Sequence, residues 1–243
     1  MSDSSHDLKI EIIEACLQLE EMGYVIGTYG NVSVRLEEGL MITPSRIDYR
    51  ALAAEDIVTV SLEGKILEGR RLPSSELEVH RQIYVCRPDV GAIAHTHSLL
   101  ATAVSCLQET IPVIVEEQSQ VVGGEIRCTR YVPAGQHRKL GEEVARALGQ
   151  SNGVLIANHG TVSCGRTLEE AIFTCRIVER VGTMRVLGAA CGKLTLIPSE
   201  YVMSERDRWL HKYGSAADRA LENIITMSEG LQEPGETDPS PAL

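Results

Sequence analysis

The segment from Ala92 to His97 constrains this chain most, because an apolar run ends there in two histidines separated by one residue. Side chains at i and i+2 of an extended strand share a face, so His95 and His97 can aim their ring nitrogens at one ion. Simple alternation on a half-buried strand would also explain two histidines at this spacing. Two further segments argue for a metal instead.

The first is the apolar stretch from Val154 to Ala157, which reads as a strand and runs into Asn158, His159 and Gly160. It offers a third imidazole, followed by a glycine that allows close approach of backbone or ligand. Three neutral imidazoles with a coordination position left open suit a catalytic divalent ion. Zinc is the default, and cobalt, manganese or iron are compatible.

The second runs from Leu72 to His80 and reads as a helix start, with Ser75 as N-cap and Glu78 completing a capping box. Capping does not require Glu76. A first-turn carboxylate beside three imidazoles could be a fourth ligand in the resting state, or a base next to a bound substrate. His80, four residues further along the same helix face, is read as a packing residue, with a supporting contact to the site as the alternative. His6, His137 and His211 are assigned no metal role.

Near the N-terminus an amphipathic helix carrying Ile12, Cys16, Leu19 and Met22 stops at Gly23. The loop from Gly27 to Ser33 follows, with Thr28 and Asn31 beside two glycines. It lacks the Gly-Lys-Ser/Thr ending of a Walker loop, and its donors suit a phosphate. A plain turn is the competing reading.

Taken in order, G-T-x-G-N-V-S, I-T-P-S, P-S-S-E, H-x-H and N-H-G, from about Ile10 to Ser199, resemble the class II aldolase/adducin family. The resemblance implies zinc on His95, His97 and His159, and Glu76 as the catalytic acid/base. It places Thr28, Asn31, Ser45, Ser74 and Ser75 around a substrate phosphate. It further implies a three-layer α/β/α fold with a central, mostly antiparallel sheet, assembled as a homotetramer with active sites between subunits. The implied activity is reversible cleavage of a phosphorylated ketose to dihydroxyacetone phosphate and an aldehyde. A dehydratase, a 4-epimerase or a decarboxylase on the same fold is the alternative, and a non-catalytic adducin-like assembly domain is the reading from another class.

The chain departs from the family pattern twice. Arg46 stands where the family's sugar-phosphate aldolases have glycine after the I-T-P-T/S stretch, so it either adds a charged contact to phosphate or reshapes the pocket. After Ile111 and Pro112, a tyrosine of the family pattern is missing, and Glu116, Glu117, Tyr131 or another subunit would have to stand in. Tyr201 and Trp209 are expected to cover the aldehyde side. The lysines Lys9, Lys65, Lys139, Lys193 and Lys212 lie in polar or terminal contexts, which disfavours a Schiff-base mechanism.

Of 243 residues, 43% are hydrophobic, enough for one sizeable core, and the formal charge is −11. That charge argues against nucleic acid as the main partner, and no apolar run is long enough for a membrane span. The first residues lack the basic-then-apolar order of a secretion signal, so a cytoplasmic protein is expected. Seven cysteines without a C-x-x-C pair read as reduced, mostly buried thiols. One domain over 1–228 is expected, followed by a disordered acidic tail over 229–243. The pattern predicts strands over 31–36, 40–43, 57–62, 92–97, 154–157 and 161–164, with further short strands at Val113, Ile126 and Tyr131. Helices are predicted over 75–87, 99–107, 138–148 and 168–190.

Overall fold

A computed structural model describes residues 2–212, so the tail predicted over 229–243 lies outside the described residues. Helix α1 (Ser2–Glu21) leads into strands β1 (Asn31–Leu36), β2 (Gly39–Ile42), β3 (Val58–Val60) and β4 (Ile66–Glu68). Helix α2 (Leu77–Cys86), β5 (Ala92–Thr96), α3 (Leu99–Ser105) and a π turn at Gln118–Val122 follow. The remaining elements are β6 (Arg127–Cys128), α4 (His137–Leu148), β7 (Gly153–Ile156), β8 (Gly160–Gly165), α5 (Leu168–Cys191) and α6 (Ser199–His211). The eight strands form one sheet in the order β4-β3-β2-β1-β5-β8-β7-β6, antiparallel throughout except for β6 against β7.

Alternation along the strands builds the layers. Leu40, Ile42, Ile93, Val154 and Ile156 face one side, where Val79 and Ile83 of α2 and Val144 and Leu148 of α4 cover them. Met41 and Ala94 face the other side, against Ile12, Cys16 and Leu19 of α1 and Ile172 and Cys175 of α5. Leu155 on that side packs with Ala101 and Val104 of α3 and with Val178 and Val181 of α5. The result is an α/β/α sandwich, as the sequence implies. Among the described residues no helix is long and apolar enough to cross a membrane.

Gly23 stops α1 as expected. With φ of 72°, it donates its amide to Glu20 O while the Tyr24 amide reaches Leu19 O, the pairing of a Schellman cap. Three local expectations fail. Val113 and Tyr131 lie outside strands, whereas Ile126 bridges Ile111 and runs directly into β6. The Ser75 capping box does not form, because the Ser74 hydroxyl takes the Glu76 amide at 3.2 Å and Glu78 pairs with Arg81 instead. The cause is upstream. Pro73 bridges Pro44, and the Ser74 amide is held by Thr43 O, so the chain is still extended where a Ser75 cap would have to turn it. Glu76 thereby becomes the N-cap position, without a side-chain cap bond of its own.

Candidate active site

Two antiparallel neighbours, β5 and β8, meet at the end of the sheet where the histidines lie. His95 stands opposite Val162, and Thr96 opposite Thr161. The strand β7 turns into β8 through Asn158, whose φ of 56° is one that asparagine tolerates, and this turn brings His159 back over β5. Gly160 makes the approach possible: a Cβ there would collide with Thr96 O and come within 3.0 Å of the His97 ring. Glycine at this point is therefore a steric requirement of the histidine cluster.

The three imidazoles converge, with ligating nitrogens all within 4.8 Å of one another. Their ring centroids are 4.8 to 4.9 Å apart, and the planes are steeply inclined to each other. His95 Nδ1 donates to Thr161 O at 2.8 Å, since a carbonyl can only accept. With Nδ1 committed there, Nε2 is the His95 nitrogen turned toward the cluster. A backbone acceptor fixing the far nitrogen is how metal-ligating histidines are usually oriented, and the donor set fits a divalent transition metal.

Glu76 closes the cluster. Its Oε2 lies 3.1 Å from His95 Nε2, its Oε1 lies 3.3 Å from His159 Nε2, and Asn31 Nδ2 donates to Oε2 at 2.8 Å. Burial alone would raise the Glu76 pKa, but the His95 and His159 imidazoles and the Asn31 amide outweigh it and hold the carboxyl well below the usual range. His97 moves the opposite way from an exposed imidazole. Burial, then repulsion from His95 and His159, brings it down to about 3, whereas at His95 burial is outweighed by the Glu76 carboxylate, which holds that imidazole above its usual value.

A cavity of about 550 Å³ opens onto this group. Thr28, Asn31, Ser45, Ser74, Ser75, Glu76, His97 and His159 all line it, while His95 sits beneath at 1% exposure. Release of Ser75 from capping leaves its hydroxyl at this wall. Arg46 lines it too, at φ 62°, so the backbone shape that favours glycine is kept and a guanidinium is added. Such a conformation costs a non-glycine residue about 1 kcal/mol or more.

Of the groups considered for the missing tyrosine, Tyr131 lines the cavity, whereas Glu117 is paired with Arg180 at 3.2 Å. Tyr201 and Trp209 do not line this chain's cavity. Trp209 stacks on Phe173 at 6.3 Å and borders a different hollow with Arg166 and Arg206. His80, read as packing, is fully buried and bonds to Asn31 Oδ1 at 2.5 Å, so the alternative reading holds. The sequence carried the signal for this in the four-residue spacing from Glu76.

Residues 10–186 match the family model for the class II aldolase and adducin N-terminal domain. L-fuculose phosphate aldolase of Escherichia coli K12 is 40% identical over 169 residues, covering 70% of this chain and 78% of the relative. The 5-methylthioribulose-1-phosphate/5-deoxyribulose-1-phosphate aldolase of Rhodospirillum rubrum is 34% identical over 220 residues, covering 90% and 97%. A solved L-fuculose 1-phosphate aldolase superposes with a TM-score of 0.80 at 32% identity, covering 84% of this chain and 96% of that one. The chain belongs to the class II aldolase and adducin family, and it is an enzyme of the aldolase type.

Proposed function

We propose that the chain is a zinc-dependent aldolase that reversibly cleaves a phosphorylated ketose, such as L-fuculose 1-phosphate, to dihydroxyacetone phosphate and an aldehyde. The observation that carries this reading is one cavity in which a carboxylate touching two of three converging imidazoles shares walls with hydroxyl and amide donors suited to phosphate. His95, His97 and His159 would hold the ion, which when bound supplies Lewis-acid stabilisation of negative charge developing on a substrate oxygen.

The chain's own groups do the rest. Thr28, Asn31, Ser45, Ser74 and Ser75 bind and orient the phosphate, so remote binding energy holds the reacting carbon beside Glu76. In cleavage the hydroxyl on the aldehyde side gives up its proton as its carbon–oxygen bond becomes the carbonyl, and the pair from the broken carbon–carbon bond passes to the other carbon. Glu76, having taken up a proton, delivers it there; synthesis runs the same transfers in reverse, with Glu76 removing that proton. The low pKa of its carboxyl keeps it in the base form on entry to the synthetic direction. The working protein is proposed to be a cytoplasmic homotetramer with active sites at subunit interfaces, where a neighbouring chain can add the group missing after Pro112.

A second substrate reading has its own support. Val132, Pro133, Leu140, Ile156 and Ala157 give the same cavity an apolar section, which fits an aldehyde fragment ending in a deoxy or thioether carbon. The relative that acts on 5-methylthioribulose 1-phosphate and 5-deoxyribulose 1-phosphate is covered almost end to end. Proton NMR of dihydroxyacetone phosphate in D2O tests the shared half-reaction: the zinc-loaded protein should exchange one hydroxymethyl proton stereospecifically. Cleavage rates on L-fuculose 1-phosphate and 5-deoxyribulose 1-phosphate then separate the two substrates. No exchange by metal-replete protein would sink the aldolase reading in favour of the dehydratase, epimerase or decarboxylase.

A further inference from the structure

Behind the carboxylate, α2 and β1 are joined by side chains taken alternately from each element. Glu76 at the N-cap, then His80 and Tyr84 on α2, recur every four residues, and Asn31, Ser33 and Arg35 recur every two on β1. Four helical residues advance ~6.0 Å and two strand residues ~6.7 Å, so the two rows stay in step over three residues each. Asn31 meets Glu76 at 2.8 Å and His80 at 2.5 Å, Ser33 meets His80 at 2.6 Å and Tyr84 at 2.9 Å, and the Arg35 guanidinium covers the Tyr84 ring at 4.6 Å. Arg35 closes the row by donating to the carbonyls of Tyr84, Arg87 and Val90.

The ionised carboxylate fixes the direction of every bond in this row. It can only accept, so Asn31 must present Nδ2 to it and Oδ1 to His80. Asn31 Oδ1 can only accept, so His80 carries its proton on Nε2. Its Nδ1 is then bare and takes the Ser33 hydroxyl proton, and Tyr84 donates in turn to Ser33. Reversal of any member leaves two donors or two acceptors facing each other in a region where Ser33, His80 and Tyr84 are 1% exposed or less.

We propose that His80 is a positioning residue for catalysis: its Nε2–H locks the Asn31 carboxamide in the one orientation that holds Glu76, and Ser33 with Tyr84 lock the His80 tautomer. This rests on Glu76 being the acid/base, and it adds a residue that touches neither the cavity nor the histidine cluster. Without His80 the Asn31 amide can flip and turn Oδ1 against the carboxylate, which then loses its only amide donor from β1.

Two measurements on the full chain test it. Long-range proton–nitrogen correlation spectra of histidine-labelled protein read the tautomer directly, and His80 is expected as the Nε2–H form. The alternative Nδ1–H form would overturn the proposal, whatever substrate the enzyme takes. The exchange assay with dihydroxyacetone phosphate supplies the second readout, on zinc-loaded wild type, His80→Gln, His80→Asn and His80→Leu. A glutamine amide reaches the Nε2 position and an asparagine amide the Nδ1 position. His80→Leu and His80→Asn should lose ~10- to 100-fold in kcat with KM and bound zinc unchanged, and His80→Gln should recover most of it. Equal rates in the glutamine and asparagine variants, or a leucine variant at the wild-type rate, would refute it. If leucine prevents folding, the glutamine and asparagine comparison still decides. An inert wild type would instead reject the aldolase reading, leaving the tautomer spectrum to judge the role of His80.

Discussion

The Nε2 atoms of His95, on β5, and His97, one residue past its end, lie 3.0 Å apart with only Thr96 between the two residues. The His95 Nδ1–H is committed to Thr161 O, so Nε2 is the nitrogen that meets His97. Nitrogens gathered this closely in a half-buried cluster need a shared proton or a shared cation. We expect one divalent ion per chain after zinc incubation of protein purified without a histidine tag, measured by elemental analysis. Removal of an outer partner of a metal ligand costs ~10- to 100-fold in affinity, and loss of a ligand itself should exceed that in His97→Ala and His159→Ala. Full occupancy of either variant at wild-type affinity would reject the three-histidine site.

Glu76→Gln keeps the shape of the side chain and its reach to Asn31, but it removes the proton acceptor. Proton transfer by a placed side chain is worth ~10²- to 10⁴-fold, and hydroxymethyl exchange should fall by that amount. Metal content should hold, because the three imidazoles are untouched. A variant that kept exchange and lost metal would show Glu76 to be a ligand in place of a base.

Arg46 makes two opposite predictions from one substitution. Relief of its left-handed backbone in Arg46→Gly should add about 1 kcal/mol, or roughly 2–4 °C in Tm for a chain of this size. Loss of an exposed guanidinium beside the serines should raise KM for dihydroxyacetone phosphate about 10-fold, with kcat little changed. Thermal unfolding and steady-state kinetics on the same preparation read both. An unchanged KM would mean that Arg46 shapes the wall without contacting phosphate.

The sandwich and the grouping of the site were legible because they rest on short-range patterns. The apolar strand before His95 and His97, the N-H-G turn and the spacing of the P-S-S-E segment each constrain a few neighbouring residues. What escaped depends on pairings across the sheet. Ser75 reads as a good cap until the bridge between Pro44 and Pro73 is known, and that bridge joins segments 29 residues apart. Asn31 stands opposite His95 in the register of β1 and β5, which no local pattern encodes. The row from Glu76 to Tyr84 shows a four-residue period in the sequence, yet the same period is what any core-facing helix shows. Only the adjacency of β1, with polar residues at its own two-residue period, turns it into a connected network. The stretch after Ile111 failed for a different reason: a π turn has no sequence signature comparable to a cap or an alternating strand.

His80 also sets a pH dependence that can be separated from the rest of the protein. Burial, then the charge on His95, lowers its pKa to about 3, against the attraction of Glu76. The Tyr84 hydroxyl, which meets the same Ser33 hydroxyl, is pushed up by burial and stays neutral over this range. An unfolded histidine titrates near 6.5. Between pH 6.5 and about 3 the unfolded chain therefore holds one more proton at this position than the folded chain. The contribution is complete above pH 6.5 and is lost as the pH falls, with a slope of up to about 1.4 kcal/mol per unit. His97 and His159 are shifted down as well and His95 is shifted up, so three lowered histidines against one raised make the metal-free wild type lose stability on acidification. His80→Gln cannot take up that proton. Denaturant unfolding in chelator at pH 7.5, 6 and 5 should show the variant losing stability more slowly than wild type, with the gap closing toward pH 5. Parallel curves would mean that His80 is protonated in the folded protein, which the donor and acceptor order from Asn31 to Ser33 does not permit.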